Sequence, residues 1–147
     1  MDRMDNPVAT VLAWHAALNA GDIDHLAALS DDEVELGGPR GPARGVSALR
    51  GWAERSGIRL EPGRIFRRDD AVVVAQRATW RAVPDEEASP PVAVASGFVV
   101  RHGRVARVER HDDLAAALVA AGLGEGDEAA SPGEGRSDVG EATQGGR

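Results

Sequence analysis

The chain has no cysteine, no lysine and no tyrosine. Without cysteine it has no disulfides, thiolate metal ligands or thiol nucleophiles. All 17 basic residues are arginine, which excludes a Schiff base or any other lysine nucleophile. Without tyrosine no phenol can serve as an acid or oxyanion donor. The groups left for chemistry are Asp, Glu, His, Arg, Ser, Thr and the backbone. No apolar run approaches the ~18 residues of a membrane span, and the start MDRMDNPVAT lacks a basic-then-apolar signal pattern. A cytoplasmic protein with no membrane partner is therefore expected. The net charge of −7 offers no basic footprint for phosphates, so no nucleic-acid partner is expected either.

The 147 residues amount to one domain with one core. Residues 124–147 (GEGDEAASPGEGRSDVGEATQGGR) contribute −4 of the charge and hold one aliphatic residue larger than alanine, Val139. Such a segment cannot offset its ordering entropy by burial. The expected division is a folded domain over 1–123 and a disordered acidic tail over 124–147.

Asn6 suits an N-cap and Pro7 the first helical position. Val8, Val11, Leu12, His15 and Leu18 follow at helical spacing, with Trp14 at the stripe's edge. Asn19-Ala20-Gly21 reads as a glycine stop, and Asp22 as the cap of a second helix that carries Ile23, Leu26 and Ala27 on one face. Glu33–Leu36 alternates like a short strand, and Gly37–Gly45 (GGPRGPARG) is a loop. Val46, Leu49, Trp52 and Ala53 mark a third helix that closes near Gly57. The period then switches to two, with strands expected over Ile58–Arg67, Ala71–Ala82, Val92–Arg101 and Arg104–Asp112. Asp113–Leu123 reads as a last helix, capped by Asp113 and stopped at Gly122. Three helices followed by an antiparallel meander predict an α+β fold with one sheet face against the helices.

The run ALNAGDIDHLAALSDDEVEL, a Gly/Pro loop, RGVSALRGW, and strands ending in HGRVARVERHDDL together resemble the nuclear-transport-factor-2-like, or SnoaL-like, superfamily. The resemblance spans Asn6 to about Leu123. It implies a cone, in which a curved antiparallel sheet wraps the long first helix in a cystatin-like α+β arrangement around an apolar pocket. It also implies a small hydrophobic ligand and a homodimer. The superfamily hosts isomerases, epoxide hydrolases, polyketide cyclases, dehydratases and binding proteins, so the fold does not transmit a reaction. Its ketosteroid isomerases look similar at the first block, but their catalytic groups do not carry over. Trp14 stands at the tyrosine position, Gly38 at the general-base aspartate and Ser96 near the second carboxylic acid. Steroid-isomerase activity is therefore rejected.

His15 is the first candidate for proton transfer, against the plainer reading of a hydrogen-bonded core histidine. Arg110 and Asp112 alternate with His111 and should share a face of the last strand. On the concave face they would form a charge pair at the pocket wall, and on the convex face a solvated pair or a dimer contact. Gln76 shares the face of Val72, Val74 and Trp80 and, with Ser96, interrupts an apolar strand, so both need partners. Trp14, Trp52, Trp80 and Phe98 are the bulky wall residues, whether as core or as ligand contacts. The histidines at 15, 25, 102 and 111 lack metal-ligand spacing, and the glycine loop lacks a phosphate-binding pattern, so neither metal nor cofactor is expected. Two functions remain open: cofactor-free acid/base chemistry (cyclisation, isomerisation or hydrolysis) on a hydrophobic metabolite, or a non-catalytic ligand-binding or dimerisation module. The discriminating feature is whether a histidine and a carboxylate converge on one enclosed volume.

Overall fold

The computed structural model describes residues 6–37, 41–80 and 90–129. Helix α1 (Pro7–Ala20) starts where Asn6 accepts the backbone N–H groups of Val8 and Ala9, and it stops at Gly21, whose φ of 73° is left-handed. Asp22 caps α2 (Ile23–Ala28) by accepting from His25 N–H. The corner expected at 19–22 thus consists of a glycine stop followed at once by an aspartate cap. Strands β1 (Ser30–Gly37) and β2 (Ala43–Arg44) flank the Gly/Pro loop, and α3 (Val46–Ser56) ends at Gly57. Then come β3 (Ile58–Arg68), β4 (Ala71–Trp80), β5 (Val92–Arg101) and β6 (Arg104–His111). Helix α4 (Leu114–Ala121) is capped by the Asp113 carboxylate and stopped by Gly122, and β7 (Glu128–Ala129) follows a single 3-10 turn at Glu125–Asp127.

The strands form one curved, open sheet in the order β2-β1-β6-β5-β4-β3-β7. Its inner face packs on α1, which crosses β3, β4, β5 and β6. Val11, Trp14 and Leu18 of α1 meet Leu60, Ile65, Val72, Val74, Ala78, Phe98 and Val100 in the main core. Each such aliphatic or aromatic side chain contributes ~1.5–3 kcal/mol on full burial, so this face sets the fold.

Four features depart from the sequence expectation. The sheet is not purely antiparallel, because β1 pairs with β6 in parallel, Leu36 opposite Val108. The meander returns β6 beside β1 running the same way. β1 also begins three residues earlier than its alternation suggested, at Ser30. The outer face has its own helix: α4 lays Ala117 and Leu118 on Phe66, Val73 and Ala95 in a second core. Val73 is therefore fully buried within one chain, so the outer sheet face is covered at that residue. Finally, order runs past the expected boundary at 123, since Glu125–Ala129 forms the 3-10 turn and β7, paired with Ile65 and Phe66 of β3. Backbone pairing and ion pairs hold this segment, neither of which an argument from apolar burial weighs. The rest of the expected tail, 130–147, and Arg81-Ala82 of the expected long strand lie outside the described residues, as does Gly38.

Candidate functional site

His15 lies one helical turn beyond Val11, and its Nδ1 is 2.7 Å from the Val11 carbonyl oxygen. Its Nε2 is 2.8 Å from Nε2 of Gln76 on β4. The Ser96 hydroxyl on β5 donates to Oε1 of the same glutamine at 2.8 Å. One assignment satisfies all three contacts: His15 Nδ1–H donates to the helix, the Gln76 amide donates to His15 Nε2, and Gln76 Oε1 accepts from Ser96. All three side chains are at least 95% buried. The result is a neutral file of hydrogen bonds running from α1 across β4 to β5.

This file holds His15 in its neutral form. Burial pushes the imidazole pKa down from 6.5 to about 4, against a smaller upward pull from the Val11 carbonyl. Protonation would also set an Nε2–H against the Gln76 N–H, so the amide would have to flip. Phe98 packs 5.4 Å from the His15 ring centroid, and Trp14 meets Phe98 edge-on at 5.3 Å. Trp52 of α3, half-buried, stacks on Trp14 with ring planes 19° apart. Trp80 is half-buried against the same core. Of the expected residues, the structure thus gathers His15, Gln76, Ser96, Trp14, Trp52 and Phe98 around one interior locus, with Trp80 at the margin of the same core.

Arg110 and Asp112 fare differently. Arg110 pairs in register with Ser96, and cross-strand partners share a face. Arg110 therefore belongs to the concave face, where it is half-buried. Asp112 lies beyond the end of β6, exposed in the bend before α4, and no ion pair joins it to Arg110 among the described residues. His111, on the outer face, is 3.5 Å from Glu109. Among the described residues the buried polar side chains are His15, Ser30, Gln76 and Ser96, with no carboxylate.

Two residues escaped the sequence reading. Ser30 accepts the Trp14 indole N–H at 3.2 Å and donates to the Leu26 carbonyl at 2.9 Å. The signal was there, because a buried indole needs an acceptor and a serine four residues after a helical residue bonds back to its carbonyl. Asn19, read as part of the corner, uses its side-chain amide like a strand: Nδ2 donates to the Leu60 oxygen at 2.9 Å and Oδ1 accepts from Leu60 N–H at 2.8 Å. Only the tertiary fold brings β3 to it.

Two surface grooves lie away from the file. One of about 360 Å3 is lined by Glu35, Leu36, Gly37, Arg44, Arg107 and Glu109. The other, of about 270 Å3, lies among Arg68, Asp70, Ala71, Val99, Arg101 and Leu123. Among the described residues no three His, Asp or Glu side chains lie close enough to share a metal ion. No described helix is long and apolar enough to cross a membrane.

A family model for SnoaL-like domains matches residues 11–108. That span includes the whole His15–Gln76–Ser96 file and excludes Arg110, Asp112, α4 and β7. No curated protein matches the sequence. Among solved structures, a putative polyketide cyclase from Sinorhizobium meliloti is 22% identical with a TM-score of 0.61, covering 74% of this chain and 97% of that one. An epoxide hydrolase of M. tuberculosis, described as LEH-like, is 23% identical with a TM-score of 0.63, over 78% and 94%. An NTF2-like protein of unknown function from Cytophaga hutchinsonii is 14% identical with a TM-score of 0.64, over 74% and 90%. At these identities the likeness concerns the fold.

Proposed function

The chain belongs to the SnoaL-like domain family, and from that premise we propose that it binds a small, uncharged, largely apolar molecule between α1 and the inner sheet face. The His15–Gln76–Ser96 file reads one polar atom of that molecule. The observation that carries this reading is the composition of the interior: among the described residues it holds four buried polar side chains, all neutral, among aromatic rings and no carboxylate. A carboxylate and a histidine meeting on one enclosed volume would have favoured acid/base catalysis, and the described interior holds only the histidine. Gln76 and Ser96 can trade their mutual hydrogen bond for one to a ligand without uncovering a charge.

A catalytic reading keeps one specific support. His15 presents its basic Nε2 toward the sheet, and Arg110 belongs to the same face, so a substrate that displaced the Gln76 amide would meet an imidazole base and a guanidinium. Structural neighbours named as a polyketide cyclase and an epoxide hydrolase fit that chemistry class. A homodimer, which the family resemblance implies, remains part of the proposal.

Binding is tested with a probe pair, naphthalene and 2-naphthol, read by tryptophan fluorescence. All three tryptophans pack in or against the main core. The wild-type chain should prefer the hydroxylated probe by ~10-fold, about 1.4 kcal/mol, and a chain carrying both His15→Leu and Gln76→Leu should lose that preference. Equal affinity for the two probes in the wild type would remove the proposal's support.

A further inference from the structure

Among the described residues the densest ionic cluster lies on the outer edge of β3, where Arg64 and Arg68, inside the family match, meet carboxylates that lie beyond it. Arg64 forks onto Glu128, with Nε 3.0 Å from Oε2 and Nη2 2.9 Å from Oε1, and reaches Glu125 at 2.9 Å. Arg68 forks onto Asp127 at 3.3 and 2.8 Å, and its Nη1 donates to the Gly122 carbonyl at 3.0 Å. Between these two forks the chain's own Glu125–Ala129 segment adds a strand to β3, with Glu128 opposite Phe66 and Ala129 opposite Ile65. Elsewhere along this edge Asn19 fills the Leu60 position with its side-chain amide.

We propose that the β3 edge between Arg64 and Arg68 is a docking surface for a short acidic segment of a partner protein that ends in a strand on this edge, and that Glu125–Ala129 is a displaceable resident that blocks it. Main-chain pairing to a sheet edge gives such a surface its affinity, and the two guanidinium forks give it a charge code. The seated segment shows what the surface selects, namely the spacing Glu-x-Asp-Glu-Ala, with Glu125–Asp127 in a 3-10 turn and Glu128–Ala129 extended. Little else holds the resident. It pairs at two register positions, brings no apolar side chain larger than alanine, and follows a chain reversal at Gly122, whose φ is 75°. The paired side chains Arg64, Arg68, Glu125 and Glu128 are between 37 and 73% exposed, and Asp127 is 18% exposed. Exposed ion pairs of this kind add little each, so the segment can leave without opening either core. Asp69, Asp70 and Arg101 stand nearby at the groove that Arg68 lines and make no ion pair with the resident among the described residues. Each fork engages both oxygens of one carboxylate in one plane, which gives the surface a geometric as well as a charge preference.

The test uses the full chain. Glu125→Gln, Asp127→Asn and Glu128→Gln together remove the resident's charges and leave the receptor arginines intact. A fluorescent Gly-Glu-Gly-Asp-Glu-Ala peptide, followed by anisotropy at low salt, should bind this triple variant ~10-fold or more tightly than it binds the wild type. In the wild type the tethered resident competes at an effective concentration in the millimolar range. Adding Arg64→Gln and Arg68→Gln to the triple variant should abolish binding, with unchanged tryptophan fluorescence as the check on folding. Equal peptide binding by the wild type and the triple variant overturns the proposal and makes β7 a permanent edge cover. A wild-type dimer that becomes monomeric in the triple variant would assign the edge to a second copy's segment and would equally overturn it.

Discussion

The inner face and the outer edge of this sheet each carry a polar network, and the two are built from opposite materials. Inside, His15, Gln76 and Ser96 are uncharged, almost completely buried and, among the described residues, bound through their side chains only to one another and to the Val11 carbonyl. Outside, Arg64 and Arg68, both exposed, hold Glu125, Glu128 and the half-buried Asp127 in ion pairs. The comparison shows where polarity is expensive. In a dry interior each donor needs its acceptor, so losing one member strands the others. At a wet edge water replaces any lost partner, and charge serves recognition more than stability. The inner network should therefore be sensitive to substitution and to protonation, and the outer one to salt.

The strongest way to break this contrast is Gln76→Leu. It leaves His15 Nε2 without a donor and the Ser96 hydroxyl without its acceptor, each worth ~1–3 kcal/mol when buried. The expected loss is roughly 4 kcal/mol, a fall in melting temperature on the order of 10 °C. A fall of only a degree or two would mean that water reaches the file.

Acid separates the two networks next. His15 titrates at about 4 in the folded chain and near 6.5 when unfolded. The folded state disfavours its proton, so the stabilisation is complete above pH 6.5 and is lost as pH falls toward 4. The full loss is about 3 kcal/mol. The outer carboxylates shift down too, Asp127 mainly through the Gly124 N–H and Glu128 mainly through Arg64. Their stabilisation is present above the ordinary carboxylate range and is lost only as pH falls through their lowered values. Denaturant melts between pH 6.5 and 4.5 should thus report the inner file, and His15→Leu should flatten that part of the profile. An unchanged slope in the variant would assign the acid sensitivity elsewhere.

How much of this was legible in the sequence follows the same division. Periodicity and caps read the elements well, because Asn6, Gly21, Asp22, Asp113 and Gly122 act locally on the backbone beside them. The inward face of β4 was legible too, since Gln76 alternates with Val72 and Val74, and all three are buried. Long-range pairing was not. That Gln76 meets both His15 and Ser96, that Asn19 pairs with Leu60, and that β1 lies parallel to β6 are facts of tertiary register, which no local pattern encodes. Composition also misled at one boundary. The segment from 124 looked too polar to order, yet Arg64 and Arg68, some sixty residues earlier, supply its partners.

His15→Leu is expected to have a smaller effect than Gln76→Leu. Leucine adds apolar contact, and the Val11 carbonyl keeps its helical partner, but the Gln76 N–H is stranded. The net cost should be ~1–2 kcal/mol at pH 7. Replacing His15, Gln76 and Ser96 together by Leu, Leu and Ala should recover part of it, because no member is then left unpaired. If the single and triple variants lose stability additively, the three side chains are independent and the file is not a unit.

The smallest effect belongs to the outer edge, and its direction with salt matters more than its size. Arg64→Gln removes one guanidinium fork and the cation held 5.1 Å above the Phe66 ring. Phe66 stays buried under α4, so the second core should hold. At low salt the melting temperature should fall by a few degrees at most, about what exposed pairs allow. At about 1 M NaCl the Debye length shrinks to roughly 3 Å, and wild type and variant should converge. Amide exchange at Ile65 and Phe66 should show the same convergence while Val72 and Val74 stay protected, since their strand pairs on both sides. A difference that persists in high salt would mean that Arg64 stabilises the edge by packing rather than by charge, and the distinction between a hydrogen-bonded interior and an ionic edge would no longer hold at this residue.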